Sequence, residues 1–407
     1  MARLERIIER LELKEFQLKA LLDVTKAIAG NVPRSELLAL YERIMREDLG
    51  ITRLMLFEHT AKWERIIAYG TNTSGRDLDI DQAAARYQDI QVIDSASAAE
   101  LGAFDVAVPV QHRDRVIAFL LIGDIDEDEQ RMSPTVRHLN YVQTLTNIIA
   151  VALENQRLAN EALLRVRADR ELELAREMQG LLVPARLPDN AVIQAAAWYR
   201  PHDRVGGDHY DLLELEDGSY VLCVADVSGK GMAAALLMSN FQANLHASVR
   251  HTTDLTALVH ELNTRVQSNA RGERFITLFI AHYQPATRVL RYANCGHNAP
   301  LLHGSAGTRE LRDGSIALGM MPALPFLRLG QTNVEPGATL LCYTDGLVEQ
   351  ENEHGQAFET QRLETLMKDL AHAGPGVLNQ AVIEAYELHR GNEPVMDDIA
   401  LLTARFH

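Results

Sequence analysis

The chain has 407 residues, with 40 Lys and Arg against 56 Asp and Glu, for a formal charge of −16. That length predicts two or three domains, and 47% hydrophobic with 24% charged residues excludes a globally disordered chain. The acidic excess argues against a nucleic-acid partner, which needs a basic face; by the same logic, an anionic substrate would have to overcome the protein's own field.

Leu4, Ile7, Leu11, Lys14, Leu18, Leu21, Thr25 and Ile28 recur at alternating steps of three and four. The spacing predicts a helix over 1–30, either laid on its own domain or paired in a dimeric coiled coil, with Lys14 and Thr25 as polar breaks. A second helix is expected over 35–49, with Ser35 as N-cap and Gly50 as C-cap. Strand patterns follow at 53–59, 65–69, 105–110 and 116–122, the last two joined by a turn at His112-Arg113-Asp114. Ser133-Pro134, a serine cap before a proline at the first helical position, opens a long helix that meets no further Gly or Pro before Gly180. Within it, 154–177 alternates charges of both signs. That suits a helical linker better than a coiled-coil seam, since Arg165 interrupts the spacing of Val151, Leu158 and Leu172. Val183-Pro184 and Leu187-Pro188 stop it, which places the linker at 154–185.

Beyond Pro188 short strand patterns appear at 191–199, 211–215, 220–226, 275–283, 289–294, 326–329, 339–343 and 399–403. Helices are expected in two pairs, at 231–250 with 254–268 (the second capped by Asp254) and at 360–371 with 375–390. Segregated strands and helices predict an α+β class with antiparallel sheets. The three cysteines, Cys223, Cys295 and Cys342, cannot build a disulfide framework and fit a reducing compartment. No apolar run approaches the ~20 residues that span a bilayer, and the charged start lacks the apolar stretch of a secretory signal. A cytoplasmic protein with no membrane partner is the expectation.

Four acidic clusters in the C-terminal half adjoin glycines or apolar strand patterns: Gly206-Gly207-Asp208, Ala225-Asp226-Val227-Ser228-Gly229, Tyr343-Thr344-Asp345-Gly346 and Asp397-Asp398. A carboxylate at the end of a buried strand is costly unless something neutralises it. One such Asp-Gly pair reads as a turn; four in one domain read better together, as acids delivered to one cation. All-oxygen donors select a hard ion, Mg²⁺ or Mn²⁺, and neither the cysteines nor the histidines have zinc-like spacing.

Residues from about 171 to 405 resemble the SpoIIE/RsbU type of the PPM (metal-dependent) serine/threonine phosphatases. The matching segments are Arg204-Val205-Gly206-Gly207-Asp208-His209-Tyr210-Asp211, Ala225-Asp226-Val227-Ser228-Gly229-Lys230-Gly231, Asn294-Cys295-Gly296-His297-Asn298, Thr344-Asp345-Gly346 and Asp397-Asp398-Ile399, in the family's order. The resemblance implies an α-β-β-α sandwich of two antiparallel sheets over 186–407, holding two Mn²⁺ or Mg²⁺ ions. Asp208 and Asp226 would be ligands, Asp226 bridging both ions, with the Val227 carbonyl, Asp345 and Asp397 completing the set. Asp397 is preferred to Asp398 because it matches the first position of the family's closing pair. The implied reaction is attack on phosphorus, in line with the leaving serine or threonine oxygen, by a water that the two ions activate. His297 is expected in a turn after a strand rather than as a general acid. His209 departs from the aromatic residue usual at its position, and Lys230 and Arg204 are expected at the surface.

Residues from about 20 to 153 are similar to a GAF domain in the order of elements and in Ala107-Val108-Pro109-Val110 followed by 116–123. This implies a sensory module of unidentified ligand or partner; with every cysteine beyond residue 220, it cannot anchor a chromophore by a thioether of its own. The combined expectation is a sensor-regulated phosphatase, homodimeric through its N-terminal helix and linker. The phosphatase resemblance implies a phosphoserine anti-sigma-factor antagonist as substrate, in bacterial partner-switching. Two other classes are weighed, a catalytically inactive interaction module on the same fold and a two-metal nucleotide cyclase. The four intact acidic clusters count against both.

Overall fold

The computed structural model describes residues 2–71, 78–93, 101, 104–112, 115–123, 134–184, 186–252 and 254–407. The chain divides into two compact units, Met1–Arg167 and Ala168–His407. Among the described residues no helix is long and apolar enough to cross a membrane.

The first unit holds one antiparallel sheet of order β2-β1-β5-β4-β3, made of β1 (Arg53–His59), β2 (Trp63–Tyr69), β3 (Gln91–Val92), β4 (Val106–His112) and β5 (Arg115–Gly123). Successive side chains point to opposite faces, and both faces are covered. Leu54, Leu56, Val106, Val108 and Leu120 pack with α1 (Ala2–Ala29), α2 (Arg34–Arg43) and the first half of α4 (Pro134–Gly180). Met55, Phe57, Ala107, Phe119 and Leu121 pack with Ile80, Ala83 and Ala84 of α3 (Ile80–Arg86). The Asp79 carboxylate caps α3 by accepting from the Gln82 N–H at 3.0 Å.

Three local expectations change. Helix α2 starts at Arg34 behind Pro33, so Ser35 lies inside it and caps nothing; the chain leaves the following π-helical turn, Ile44–Asp48, through Leu49 and Gly50, the latter at φ +68°. The apolar seam read along α1 divides between two faces: Leu21 and Ile28 pack on the unit's own core, whereas Leu4, Ile7, Leu11 and Leu18 are exposed. The strand at 53–59 stands as expected, and edges of the other three move by one or two residues. Ser133 and the Arg113-Asp114 turn lie outside the described residues.

The second unit is a sandwich. One sheet has the order β13-β10-β9-β8-β7, with β14 also on β10, and the other β12-β11-β15-β16-β6. The first comprises β7 (His209–Glu214), β8 (Tyr220–Val227), β9 (Ile276–Gln284), β10 (Val289–Cys295), β13 (Gly314–Ser315) and β14 (Gly330–Asn333). The second comprises β6 (Ile193–Arg200), β11 (Leu301–Gly304), β12 (Gly307–Glu310), β15 (Thr339–Tyr343) and β16 (Ile399–Phe406). All pairings are antiparallel except the short β10–β13.

Leu222, Val224, Phe279 and Ala281 meet Leu340, Cys342, Leu402 and Ala404 between the sheets. On the outside, α5 (Met232–Val249) and α6 (Leu255–Ala270) cover Cys223, Ala225 and Ile280. Across the molecule, α8 (Thr360–Leu370) and α9 (Pro375–Arg390) cover Leu341, Tyr343 and Leu401. The class is α+β, and this unit's layers run α-β-β-α. The expected strand at 326–329 is irregular: Leu327 and Leu329 are apolar because they lean on the α5–α6 core, and the strand itself is Gly330–Asn333.

Candidate metal centre

Each acid of the four clusters sits at a strand end. Asp208 immediately precedes β7 and Asp226 is the penultimate residue of β8. The His209–Ala225 register therefore sets Asp208 opposite Asp226. In the other sheet Asp345 follows β15 as the first residue of the short helix α7 (Asp345–Val348), and Asp397-Asp398 leads into β16. That corner is tight: a Cβ on Gly346 would lie 2.1 Å from the Asp398 carbonyl oxygen, so only glycine lets α7 lie against β16. Asp398 links the two corners. Its Oδ1 accepts from the His202 N–H at 2.7 Å and its Oδ2 from the Gly207 N–H at 2.6 Å, which fixes the loop carrying Asp208.

The four buried or half-buried acids share one field. Burial lifts Asp208 well above the usual carboxylate range, and Asp226 and Asp398 add to it. Burial, then Asp345, push Asp226 up to about 7. Asp345 and Asp398 are raised as well, by burial first and then by carboxylate neighbours, Glu349 and Asp397 on Asp345 and Asp397 on Asp398. Mutual elevation of this kind is what several carboxylates produce when they cannot all ionise without a cation. Asp397 lies at the open edge, 40% exposed, with Oδ2 2.9 Å from the Lys230 ammonium. Lys230 also donates to the Met396 carbonyl at 2.5 Å and lowers Asp345, so it is a cation of the acid cluster rather than a bare surface charge.

The donor set fits a hard divalent ion. Asp208 Oδ2 is buried with no hydrogen-bond partner, and so is the nearby Tyr199 hydroxyl. Among the described residues no three His, Cys, Asp or Glu side chains form a group able to hold a metal by themselves. A cation here would therefore add main-chain oxygen and water to the carboxylates, as Mg²⁺ commonly does. Val227 offers such an oxygen: a Cβ on Gly207 would stand 3.0 Å from its carbonyl, so the glycine lets the Asp208 loop approach it.

Other residues singled out from the sequence have different surroundings. Arg204 reaches helix α4, with Nη2 3.1 Å from Asp169 Oδ1. His209 is fully buried, tilted edge-on to Phe241 at 6.4 Å, with Nε2 3.6 Å from Asp211 Oδ2. The same Asp211 oxygen takes a 2.5 Å hydrogen bond from His246 on α5. One residue escaped sequence reasoning. Gln179, in the last turn of α4 and 7% exposed, donates to the Gly206 carbonyl at 2.6 Å and accepts from the Gly206 N–H at 3.1 Å. A glutamine in an otherwise charged helix carries no signal of such a contact.

Residues 216–407 match the family described as Stage II sporulation protein E (SpoIIE). Among curated relatives, protein IcfG of Synechocystis sp. (strain ATCC 27184 / PCC 6803 / Kazusa) is 28% identical over 225 residues, 48% of this chain and 35% of that one. Phosphoserine phosphatase RsbU of Bacillus subtilis (strain 168) is 26% identical over 187 residues, 46% of this chain and 55% of that one. The chain thus spans about a third to about half of the length of these relatives. Among solved structures, the SiaA-PP2C domain of Pseudomonas aeruginosa aligns with a TM-score of 0.55 at 23% identity, covering 60% of this chain and 100% of that one. That likeness shows a PP2C-type fold.

Proposed function

From the SpoIIE-type domain that fills its C-terminal half, we propose that this protein is a metal-dependent phosphatase of phosphoserine or phosphothreonine proteins, controlled by its N-terminal unit. The observation that carries the reading is the set of mutually elevated carboxylates from two sheets, with Asp208 Oδ2 buried and unpartnered. Asp208, Asp226, the Val227 carbonyl, Asp345 and Asp397 would hold Mn²⁺ or Mg²⁺, two ions in all. When bound, such ions supply positive charge to the phosphoryl group and an activated water. The chain's own residues supply the frame. Asp398 keeps both oxygens on main-chain N–H groups, holding the Asp208 loop to β16, whereas Asp397, at the exposed edge, takes the Asp398 N–H on Oδ1 and the Lys230 ammonium on Oδ2. Lys230, at the exposed edge, is placed to meet an incoming phosphate once Asp397 is otherwise engaged.

The substrate class follows from the same resemblance: a phosphoserine anti-sigma-factor antagonist, in a partner-switching system. The N-terminal unit is read as a GAF-like sensor that dimerises through α1 and α4. The Gln179–Gly206 pair gives it a route, because a shift of the last turn of α4 would move the loop that positions Asp208. The test is phosphate release by the full chain from a phosphoserine protein and from p-nitrophenyl phosphate, with and without Mn²⁺. Mn²⁺-dependent release from both is expected. No release from either, with turnover of ATP or GTP instead, would overturn the reading.

A further inference from the structure

Asp226 and Asp345 come to the acid cluster from different sheets, so the separation of the two sheet ends decides whether they can serve one centre. His297 stands between those ends. It is buried in the loop after β10, and its main chain is fixed before the ring makes any contact. Gly296 turns the loop at φ +70°, packed on Ala317, and Asn294 Oδ1 accepts from the His297 N–H at 2.8 Å. The Asn294 side chain is itself held by donating to the Leu311 carbonyl at 3.3 Å.

The ring then faces both sheets. Nδ1 lies 2.9 Å from Thr277 Oγ1 on β9. Thr277 is the register partner of Asp226 across the β8–β9 pair, and directly opposed residues of an antiparallel pair project from the same face. On the other side, the ring neighbours the main chain of Tyr343, the last residue of β15 and two before Asp345, and its Nε2 is buried without a hydrogen-bond partner. Burial drives the imidazole down to about 4, so the ring is neutral at physiological pH. With the Thr277 hydroxyl donating to Nδ1, the remaining N–H is on the buried Nε2. Closed off from solvent and neutral, the ring is not set up as a proton donor to a leaving group.

We propose that His297 is a positioning residue. Held to the six-stranded sheet through Thr277, its buried ring stands against the main chain of Tyr343 in the five-stranded sheet, and so sets the spacing of Asp226 and Asp345 on which divalent-cation binding depends. The proposal rests on the metal reading above and adds to it the part that governs cation affinity. Because the ring touches neither substrate nor the acids, its removal acts on cation affinity more than on turnover at saturating cation.

The experiment is a Mn²⁺ titration of the full chain, followed by the paramagnetic signal of free Mn²⁺ below the melting temperature, in wild type, His297→Ala, Thr277→Val, the double variant, Thr277→Ser and His297→Gln. His297→Ala and Thr277→Val are each expected to weaken Mn²⁺ binding by about 10-fold or more, the range seen when groups behind metal ligands are removed. The double variant should be no worse than the poorer single one, since both remove the same link. Thr277→Ser and His297→Gln should recover most of the affinity, and p-nitrophenyl phosphate turnover at saturating Mn²⁺ should fall much less than affinity. Thr277→Val preserves side-chain volume and carries the test if His297→Ala does not fold. Folded variants that bind Mn²⁺ as tightly as wild type, or single effects that add in the double variant, would overturn the proposal. A wild-type chain that binds no Mn²⁺ would instead overturn the metal reading, and this proposal with it.

Discussion

Buried carboxylates occur in both units, and those of the acid cluster have surroundings of a different kind. In the first unit Glu58 and Glu154 are 7% and 6% exposed, and each is met by arginine. Arg34 grips Glu58 with two bonds, of 3.0 and 2.6 Å, while Arg157 and Arg115 bind Glu154 at 2.8 and 2.9 Å. The Arg157 guanidinium holds Glu154 below its usual range. In the second unit Asp208 is 2% exposed and has only other acids for charged company, so it moves the opposite way. A buried acid with its own arginine stabilises a fold; a group of buried acids without one leaves a place for a cation.

The contrast breaks most sharply by mutation. Asp208→Asn should lower Mn²⁺-dependent phosphate release by more than the ~100-fold that changes behind the ligands cost, while the unfolding temperature in chelator holds or rises because a repelling charge is gone. Glu154→Ala should do the reverse. It takes the shared carboxylate from Arg115 and from Arg157, which keeps Glu161, and costs about 2 kcal/mol of stability in the first unit, read by denaturant unfolding, with phosphate release at saturating Mn²⁺ unchanged at temperatures where the variant is folded.

The pH response should separate the units more gently. Asp226 is raised to about 7 in the folded chain. Its contribution to metal-free stability is fully present below its unfolded value and is lost as pH rises through about 7. Glu154 is depressed, so its contribution is present above its unfolded value and is lost as pH falls through the folded one. In chelator, the melting transition of the second unit should therefore move up by a few degrees (~3 °C) between pH 8 and pH 6, and the first unit's should not. An equal shift in both would break the distinction. The smallest effect belongs to Lys230→Met. Removing the ammonium beside Asp397 takes away a competing cation from a half-exposed pair and should tighten Mn²⁺ binding by about threefold, measured by the same titration.

How far these features could be read in advance depended on how local they are. The apolar run 220–224 ahead of Asp226 and the wholly buried β15 ahead of Asp345 are visible as strands because each buries both faces. The Asp254 cap was legible for a similar reason, its carboxylate accepting from the Thr256 N–H two residues on at 2.9 Å. Strands β11 to β14 are two to four residues long and rich in Gly, Thr and Ser, so no period of two can show in them. The role of Asp398 turns on Gly207, 191 residues away, and that of His297 on residues 277 and 343. Clusters of acids were therefore foreseeable, whereas the polar links that hold them in register were not.

A single cation centre, built from the clustered acids, is expected to do the chemistry. The direct measurement is Mn²⁺ stoichiometry and phosphate release in the same samples of wild type and Asp226→Asn. Two Mn²⁺ per wild-type chain, with both binding and phosphate release lost in Asp226→Asn while the fold persists, is the predicted result. Phosphate release that continues in chelator, or undiminished in Asp226→Asn, would contradict it.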